Sequence, residues 1–541
     1  MIKHKNNKFF KSFFFMLIFT FIISIGNGIK VYAQADNNNV LNQVRSLIQN
    51  GYVNEVPKEV LDSNNIEDMV KGLNDPYTKY FSSEDFKSFV NAINNSFCGI
   101  GIYNEENSEG IKVKSVMDSS PALEAGLKAG DIIIRVDGHS LKGLKLEESA
   151  KYLRGEEGSK VELEILRGEE NLKFTIKRRE IDLPTVNWKV IDDHIGYIKI
   201  ISFGMETPEL FSKAVNELEE KKVDKFIVDL RDNTGGYTNS AYNIAGHFIG
   251  EKTVIKMKNK AGNEYDFKGI GHGHVIDKPI IFLINDYTAS ASEILSAAVK
   301  DYKKAFFVGI KSFGKGVQQS TFPLEDGGVL KLTTHSFYSP KGNTIHKVGI
   351  TPDFNTKDID ALAVAELLYS AKNKADNSNM IKVKINGNEF IIDLNKCRRN
   401  EYLKAFKHII DNVDSNNIYL GSKNTWEKLD KEIFKNTMGF YFSDFKKFPT
   451  LVKSKDNTKF SIVFNKDIDK QTVNNDTIKL LQDNTFKDID IDYKFEEGNK
   501  IILIPKEAAN LNGRYYLVIQ DIKSIGGKSI NRKTAVEINL K

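Results

Sequence analysis

One stretch constrains the fold of this chain more than any other: residues 280–310, which read IIFLINDYTASASEILSAAVKDYKKAFFVGI. Two apolar runs rich in β-branched and aromatic residues enclose a segment with apolar residues at helical spacing, which predicts strand, helix and strand. A connection of this kind is nearly always right-handed and makes its two strands parallel. An α/β layer is therefore predicted, with Ser290 and Lys315 at the same edge of its sheet although they are 25 positions apart.

Ser290 and Lys315 have the chemistry of a catalytic pair. A serine hydroxyl becomes a good nucleophile when a neighbouring neutral amine takes its proton. The ordinary pKa of lysine is ~10.4, and burial lowers it. The sequence FGKG allows close backbone packing around Lys315, and Phe313 is expected to exclude water from the amine. The alternative is structural, because Ser290 and Glu293 have the spacing of a helix capping box, which the local pattern taken alone favours.

Backbone N–H groups at two places are candidates for holding the negative charge of a reaction intermediate. A helix beginning at Ala291 leaves its first N–H groups unpaired, with its positive dipole end at the serine. The Ala291 N–H is therefore a candidate oxyanion donor. The second candidate is the turn NTGG, which follows the strand-like run KFIVDL; Gly235 and Gly236 both fit, and the sequence does not choose between them.

Several motifs occur together in the order found in one protease family. They are GLNDPYTKYF, LRGEEGSKVE, VDLRDNTGG, NDYTASASEI, FGKGVQQ and GITPDF. On these motifs the region from Asn37 to Phe354 resembles the carboxyl-terminal processing proteases, or tail-specific proteases, which are Ser–Lys peptidases with an embedded PDZ domain. The resemblance implies that Ser290 is the nucleophile, Lys315 its base and Gln319 the residue that orients the lysine. The family's oxyanion donors fall on the backbone positions named above.

Residues 94–179 resemble a PDZ domain. The segment GIGIYNEENSEGIKVKSVMDSSPALEAGLKAGDIIIRVDGHSL has the Gly-X-Gly start, the SPALEAGL stretch and the strand IIIRVDG in the order of that family. Free N–H groups beside glycines bind a carboxylate, and an exposed strand edge pairs with an extended peptide. The predicted ligand is therefore a peptide C-terminus, bound at Gly99, Ile100, Gly101 and Ile102. The alternative is an ordinary β-bulge with two glycines.

The remaining candidate residues carry less chemistry. Arg154, in the motif LRGEEG, is predicted to couple the PDZ domain to the protease core by pairing with a carboxylate; the alternative is a plain surface arginine. The histidines of GHGH at 271–274 lack a third ligand at suitable spacing, so no metal and no cofactor is predicted. Cys98 and Cys397 are the only two cysteines, and we expect isolated thiols rather than a disulfide.

Residues 1–33 have the pattern of a signal peptide, with a basic start, an apolar run and the small-residue site VYA, so cleavage is predicted after Ala33. The alternative is a retained membrane anchor, although the run is shorter than the ~20 residues that span comfortably. The segment contains five lysines and no acidic residue, so its removal takes the net charge from +5 to zero. A neutral mature chain gives no argument for a nucleic-acid partner. We expect an exported protein, extracellular or associated with the cell envelope.

Changes of pattern divide the 541 residues into several domains, and the predicted fold class is multidomain α/β and β. Strand-rich residues 446–541 resemble the bacterial Ig-like domains of surface and S-layer-type proteins. The predicted segments are 1–33 signal peptide, 37–93 helical lead-in, 94–179 PDZ domain, 180–375 α/β Ser–Lys protease core with a crotonase- or ClpP-like layer, 376–445 mixed linker or accessory region, and 446–541 Ig-like β-sandwich.

The function predicted from these features is that of an exported serine endopeptidase. It would recognise protein or peptide C-termini through its PDZ domain and cleave through an acyl-enzyme on a Ser–Lys dyad. One alternative is a catalytically silent PDZ and Ig-like binding protein of the cell envelope. Another is a crotonase-type acyl-CoA enzyme, against which the export signal and the PDZ pattern both argue. The expected partners are substrates with a free C-terminus, a cell-wall or surface contact through the Ig-like domain, and a second copy of the chain through the lead-in helices.

Overall fold

The computed structural model divides the chain into two compact units. The first comprises the residues up to Phe86 together with Gln319–Thr334, and the second comprises Lys87–Gln318 and the residues from His335 onward. The predicted signal peptide, 1–33, lies outside the described residues. Within the described part, no helix is long and apolar enough to cross a membrane. The described residues are 37–372, 376–377, 379–397, 399–429, 446–453, 459–482, 488–506, 513–529 and 533–540.

The first unit is mainly helical. Its elements include α1 Asn37–Gly51, α2 Lys58–Leu61, α3 Ile66–Gly72 and β1 Lys79–Phe81. Helix α3 begins after Asn65, whose side chain accepts the N–H of Asp68 at 2.8 Å, as expected of an N-cap. Strand β1 pairs antiparallel with residues 329–331. Apolar residues from α1, α3 and this pairing strand form a small core of their own, which includes Val44, Ile48 and Met69.

The region that resembles a PDZ domain is a six-stranded sheet with two helices. Its sheet has the order β3-β4-β5-β7-β8, with β6 beside β5, so β3 is an edge strand. Strands β2 and β9 pair antiparallel and bring the two ends of the region together. The elements here are α4 Ser83–Asn94, β2 Ser96–Gly99, β3 Ile102–Asn107, β4 Gly110–Val116, α5 Pro121–Glu124, β5 Ile132–Val136, β6 His139–Ser140, α6 Leu146–Leu153, β7 Lys160–Arg167, β8 Glu170–Lys177 and β9 Arg179–Asp182.

A mainly parallel sheet of order β10-β11-β12-β15-β16-β19 forms the centre of the second unit. The predicted strand–helix–strand run is β15, α9 and β16, and the two strands are parallel with Ile281 opposite Phe306. The elements from 186 to 355, of which residues 319–334 of β17 and β18 belong to the first unit, are β10 Val186–Ile191, β11 Ile195–Ile200, α7 Thr207–Glu220, β12 Lys225–Asp229, α8 Thr238–Ile249, β13 Thr253–Asn259, β14 Glu264–Lys268, β15 Ile280–Ile284, α9 Ala291–Asp301, β16 Phe306–Gly309, β17 Val317–Pro323, β18 Val329–Tyr338 and β19 Phe354–Asn355.

Two hydrophobic clusters cover the two faces of this sheet. On one face, helices α7, α8 and α9 contribute Phe211, Phe248 and Leu295, which pack with sheet residues such as Phe282 and Phe307. Strand β13 pairs with β14 and with the C-terminal part of β18 in a separate antiparallel sheet. The loops that follow β12, β15 and β16 lie at the edge formed by the carboxyl ends of the parallel strands.

Residues after 356 form a compact layer on the other face of the sheet. The sequence NGN joins β20 and β21 in a hairpin, with Asn386 at φ 49° and Gly387 at φ 81°, as a type I′ turn requires. Its sheet has the order β21-β20-β22-β23. Part of the predicted accessory region, residues 430–445, lies outside the described residues. The elements are α10 Ala361–Leu368, β20 Met380–Ile385, β21 Asn388–Asp393, α11 Leu394–Cys397, α12 Asn400–Asn412, β22 Ile418–Ser422 and β23 Thr425–Lys428.

The C-terminal module, residues 446–540, consists of two sheets around a common core. The sheets have the orders β24-β30-β29-β26 and β25-β28-β27, and β24 pairs with β30 in parallel. Their shared core includes Leu480, Ile501 and Tyr515. Four further residues of the module, Leu481, Tyr516, Val518 and Ala535, belong to the cluster that covers the second face of the central sheet. The strands are β24 Lys446–Lys453, β25 Phe460–Val463, β26 Ile478–Gln482, β27 Ile491–Glu496, β28 Lys500–Pro505, β29 Gly513–Ile519 and β30 Thr534–Leu540.

Candidate active site

Three loops meet where the parallel strands β12, β15 and β16 end. The Thr288 hydroxyl donates to the Leu230 carbonyl at 2.9 Å, and the Phe313 N–H donates to the Thr288 carbonyl at 3.0 Å. The Ala289 N–H donates to the Asn233 carbonyl at 3.1 Å. These bonds fasten together the loops that carry the predicted catalytic residues, at the sheet edge where ligand sites of α/β proteins collect.

Ser290 lies at a strained turn between β15 and α9. Its backbone has φ 58° and ψ −116°, a conformation that costs a non-glycine residue roughly 1–3 kcal/mol and persists only when the surroundings hold it. Ser290 and Glu293 do adopt capping-box geometry, yet the Ser290 side chain makes no capping hydrogen bond. The Glu293 N–H donates instead to the Ser290 carbonyl at 2.8 Å. The start of the helix therefore does not engage the Ser290 hydroxyl.

Glu293 connects the serine loop to the lysine loop. This carboxylate is fully buried and accepts four hydrogen bonds: from the Ser312 hydroxyl at 2.6 Å, and from the N–H groups of Gly314 at 2.7 Å, Lys315 at 2.8 Å and Ser290 at 3.0 Å. One oxygen, Oε2, accepts both the Ser290 and the Lys315 N–H. Burial raises the pKa of Glu293, and the four donors oppose that rise. Sequence reasoning gave Glu293 only a role at the helix start and missed this link.

The NTGG turn packs directly against the serine. Gly235 has φ 106°, and a Cβ there would lie 2.8 Å from the Ser290 Cβ, so only glycine fits. The Gly235 N–H donates to the Asn233 side-chain oxygen at 2.9 Å, whereas the Gly236 N–H has no protein acceptor among the described residues. Ser292 donates its hydroxyl to the Asn233 carbonyl at 2.9 Å and so ties α9 to this turn.

The first N–H groups of α9 are nearly all occupied. Those of Ser292 and Glu293 donate to the carbonyls of Ala289 and Ser290 at 3.1 and 2.8 Å. The Ala291 N–H has no acceptor in the part of the chain that the structure describes. The start of the helix therefore offers one unengaged donor next to Ser290.

Lys315 lies in a tightly packed backbone segment. The Lys347 N–H donates to the Gly314 carbonyl at 2.7 Å, and a Cβ at Gly316 would lie 2.3 Å from the His346 backbone nitrogen. Gly314 and Gly316, on either side of the lysine, therefore allow the backbone at His346 and Lys347 to pack directly on this loop, in agreement with the close packing expected from the sequence FGKG.

Two further residues, Phe313 and Gln319, were predicted to assist Lys315. The expectation that Phe313 shields the lysine amine from water is not supported, because Phe313 is 57% exposed. Gln319 belongs to the first unit, where its Nε2 donates to the Thr333 hydroxyl at 3.2 Å. The orienting role of Gln319 therefore stays a prediction.

A buried ion pair supports the loop after β12, which sequence reasoning did not single out. Nε and Nη2 of Arg231 donate to the two oxygens of Asp229 at 2.9 and 2.7 Å, and Asp229 is fully buried. The Tyr197 hydroxyl also donates to Asp229, at 2.8 Å, and Arg231 reaches Asp360 at 2.8 Å. Burial lowers the pKa of Arg231, but the two carboxylates outweigh it and raise the pKa overall. The sequence DLR, which places Asp229 and Arg231 two positions apart just before this turn, could have indicated the ion pair.

The predicted peptide site lies at the edge of the PDZ-like sheet. Gly99 ends β2, where it pairs with Arg179, and Ile102 begins the edge strand β3. Ile100 is buried, and its carbonyl accepts the Ala122 N–H at 2.9 Å. Gly101 has φ 81°, and a Cβ there would lie 2.4 Å from the Ser120 Cβ, so this turn also needs glycine.

Arg154 has a different environment from the one predicted. Its guanidinium lies over the Phe97 ring, 5.2 Å from the centroid, and no carboxylate within the described residues forms an ion pair with it. The buried arginine of this region is Arg178, which donates to the Leu153 and Tyr152 carbonyls at 3.0 and 2.9 Å and so fixes the end of α6. A carboxylate partner for Arg154 is therefore not seen in this structure.

Two histidines of the protease core stack on each other, and the two cysteines are not bonded. His272 of GHGH stacks on His247 at 3.7 Å between centroids, and its Nε2 lies 2.9 Å from the Asn243 carbonyl. The described residues contain no group of three His, Cys, Asp or Glu side chains arranged to hold a metal ion. Cys98 and Cys397 are both free thiols.

Three protein-family models match the chain. The model for peptidase family S41 matches residues 194–356, and a PDZ domain model matches residues 98–177. The model described as the activating protease CtpB N-terminal domain matches residues 27–85. Together they cover the regions with the lead-in helices, the edge-strand sheet and the three catalytic loops.

Curated relatives extend over most of this region. A probable CtpA-like serine protease of Staphylococcus aureus (strain bovine RF122 / ET3-1) is 35% identical over 374 residues, 68% of this chain and 75% of that protein. The carboxy-terminal processing protease CtpB of Bacillus subtilis (strain 168) is 36% identical over 359 residues, 64% of this chain and 74% of that protein. A solved structure, the photosystem II D1 C-terminal processing protease, is 23% identical, covers 62% of this chain and 95% of that chain, and has a TM-score of 0.40, too low to carry an argument.

The identity and coverage of the curated relatives confirm the family that the sequence motifs predicted. The PDZ domain and the α/β protease core of a multidomain fold are confirmed with it. The chain belongs to the carboxy-terminal processing proteases of peptidase family S41, and it is a serine-type peptidase that recognises the C-termini of its protein or peptide substrates.

Proposed function

We propose that Ser290 is the nucleophile and Lys315 the general base of this peptidase. The observation that carries the assignment is the shared Glu293 oxygen, which binds the backbone N–H of both residues and so fixes their loops against each other. The strained Ser290 backbone and the absence of a capping bond from its hydroxyl support the same assignment, because strain of this kind clusters at functional sites.

The reaction proceeds in two steps, acylation of Ser290 and hydrolysis of the acyl-enzyme. The Ser290 Oγ attacks the scissile carbonyl while its proton passes to a neutral Lys315 amine; the C–N bond then breaks, and the leaving amine takes that proton. Water attacks the acyl-enzyme, Lys315 accepts a proton from the water, and the proton returns to Ser290 as the ester bond breaks. Gln319 orients the lysine in this scheme.

The oxyanion of both tetrahedral intermediates is bound by the N–H groups of Ala291 and Gly236. The choice of Gly236 over Gly235 follows from hydrogen bonding, because the Gly235 N–H already donates to Asn233. Donors that are fixed before the substrate arrives stabilise the developing charge most effectively, and the NTGG turn is held by Asn233 in this way.

Substrate docking is assigned to the PDZ domain. The terminal carboxylate binds at Gly99–Ile102, and the peptide extends along the open edge of β3, adding a strand to the sheet. Arg154, at the end of α6, is assigned to communication between the docked C-terminus and the protease core.

The chain is exported, with residues 1–33 as the signal peptide cleaved after Ala33, and acts outside the cell or at the cell envelope. The lead-in helices form a domain that mediates a homodimer. The two-sheet C-terminal module is a bacterial Ig-like domain that contacts the cell wall or surface. The charge pattern and apolar run of residues 1–33 and the strand pattern of 446–541 support these assignments.

The test compares two peptides of one sequence, one with a free and one with an amidated C-terminus. Mature protein is expected to cleave the free peptide faster, while Ser290→Ala and Lys315→Ala each lower kcat by at least about 10³-fold and leave the thermal unfolding curve unchanged. Ser296→Ala, on the same helix, and Lys303→Ala, exposed after that helix, serve as matched controls and keep full activity. Full activity of either catalytic variant would refute the dyad.

A further inference from the structure

The protease core presents unusually exposed apolar side chains at its catalytic edge. Among the described residues of the core, three large apolar side chains are more than half exposed: Met205 at 65%, Tyr287 at 62% and Phe313 at 57%. Each of them follows the carboxyl end of a strand of the central sheet, β11, β15 and β16 respectively. Exposed large apolar side chains on loops at one sheet edge, beside a nucleophile, are candidates for binding another molecule. We call these three residues the apolar collar.

The backbone of each collar residue is anchored. The Phe313 N–H donates to the Thr288 carbonyl at 3.0 Å, and the Tyr287 N–H donates to the Asn285 side chain at 3.2 Å. The Met205 N–H donates to the Asn94 side chain at 3.1 Å. Backbones held in this way keep the three side chains at fixed places along the sheet edge, and aromatic side chains such as Tyr287 and Phe313 bury a large apolar area when they bind a ligand.

The strand order gives the collar a definite relation to the nucleophile. Along the edge the order is β11-β12-β15-β16, so Met205 lies on one side of the Ser290 loop and Phe313 on the other. Strands are about 4.8 Å apart, which puts the β11 loop about 10 Å and the β16 loop about 5 Å from the loop of Ser290. An extended chain advances about 3.3 Å per residue, so these spans correspond to about three residues and one to two residues.

We propose that the apolar collar binds apolar side chains of the substrate polypeptide on both sides of the scissile bond. This inference rests on the proposed role of Ser290 and adds a specificity for the protease core that is separate from C-terminal docking. A substrate must then carry apolar residues within about three positions of the cleaved bond on one side and within one to two on the other.

The test uses two peptides with the same free C-terminus that differ only around the cleavage site mapped by mass spectrometry, with Leu or Ser at those positions. The unaltered protein is expected to show a kcat/KM at least about tenfold higher for the Leu peptide. The double variant Met205→Ser/Phe313→Ser is expected to bring that ratio close to one. Tyr265→Ser on β14, 44% exposed, and Val463→Ser in the C-terminal module, 66% exposed, are matched controls and keep the ratio.

The outcomes separate the two proposals. A ratio near one in the unaltered protein, or an unchanged ratio in the double variant, overturns the collar, while cleavage that Ser290→Ala abolishes upholds the nucleophile. Hydrolysis of a small activated ester by the unaltered protein probes Ser290 without any substrate chain to lie on the collar. Failure of both ester and peptide turnover would overturn the role of Ser290, and the collar proposal with it.

Discussion

The catalytic edge and the PDZ peptide edge each depend on a glycine with positive φ, but they are held in opposite ways. Around Gly235 the supports are buried polar groups, since Asp229, Asn233 and Glu293 are all fully buried. Around Gly101 the support is apolar packing, with Ile100 buried in the core of the PDZ domain and β3 left as an open strand edge. Catalysis needs fixed donors and dipoles, whereas peptide binding needs unpaired backbone.

This difference predicts that the loss of a single hydrogen-bonding side chain lowers activity far more at the catalytic edge than at the peptide edge. Buried hydrogen-bond networks fail sharply when one member is left unsatisfied, whereas an apolar cluster loses contacts gradually. Substitutions at the first edge should therefore lower kcat, and substitutions at the second should raise KM.

The largest effect is expected for Glu293→Gln. A glutamine has only one acceptor oxygen and presents an NH2 group to N–H donors, so the four hydrogen bonds to this side chain cannot all persist. We expect kcat to fall by at least about 100-fold, about 3 kcal/mol in the barrier, with KM changed only a few-fold. Steady-state kinetics on a free C-terminal peptide measures both, and the exposed Glu220→Gln is the control. A kcat within threefold of the unaltered protein would refute the linking role.

The second-largest effect is expected for Gly235→Ala. The new Cβ would meet Ser290 at 2.8 Å in a backbone conformation with φ 106°. We expect kcat to fall about tenfold and the free energy of unfolding to fall by roughly 1–3 kcal/mol. Gly262→Ala has a similar φ of 82°, but its nearest neighbour is 3.8 Å away, so it isolates the backbone cost from the clash. Chemical denaturation and kinetics of both variants give the comparison; equal losses of kcat would contradict this account.

Gly101→Ala tests the other edge. A Cβ there would lie 2.4 Å from Ser120, whereas Gly126→Ala has φ 86° with nothing within 4 Å. We expect Gly101→Ala to raise KM for the free C-terminal peptide about tenfold, or 1.4 kcal/mol, with kcat unchanged. Gly126→Ala should leave KM alone. A fall in kcat at constant KM would mean that the two edges are not independent in the way that their supports suggest.

The last prediction concerns the pH dependence of stability and His247, a buried histidine of the protease core. Burial, with help from His272 and His274, lowers the pKa of His247 to about 3. In the unfolded chain the pKa is near 6.5, so only the unfolded chain gains a proton as the pH falls from about 6.5 toward 3. The free energy of unfolding should therefore drop in that window, by up to about 1.4 kcal/mol per pH unit, and stay level above it. Denaturation of the unaltered protein and of His247→Gln at pH 5 and pH 7.5 measures the difference; equal slopes would count against it.

Local pattern was enough to predict the parts of the fold that depend on neighbours in the sequence. The apolar runs around α9 predicted β15 and β16 as parallel strands, because a short crossover has one favoured hand. The sequence NGN is likewise typical of the tight turn between β20 and β21, because Asn and Gly readily adopt the positive φ that the turn requires. Placing Ser290 and Lys315 in neighbouring loops followed from the same topology.

Contacts between distant segments were beyond the reach of sequence reasoning. The donors to Glu293 come from loops about twenty residues apart, and nothing local distinguishes this carboxylate from a helix cap. Arg178, rather than Arg154, is the buried arginine of the PDZ domain, because its guanidinium binds the last carbonyls of α6, a contact between segments 25 residues apart. Residues 376–445 were predicted only as a mixed linker or accessory region, because the role of apolar residues such as Phe406 and Ile409 depends on the central sheet that their cluster covers.

The C-terminal module shares a hydrophobic cluster with the layer that covers the central sheet, through Leu481, Tyr516, Val518 and Ala535. Parting the two would expose that surface to water at a cost of roughly 25 cal/mol for each Å² of apolar area. Cutting the chain between Leu429 and Lys446 is therefore expected to give two polypeptides that run apart on a denaturing gel and travel together through a native sizing column. A variant truncated before Lys446 would expose the apolar residues that now pack against the C-terminal module, and polar substitutions there would be needed to keep it from aggregating.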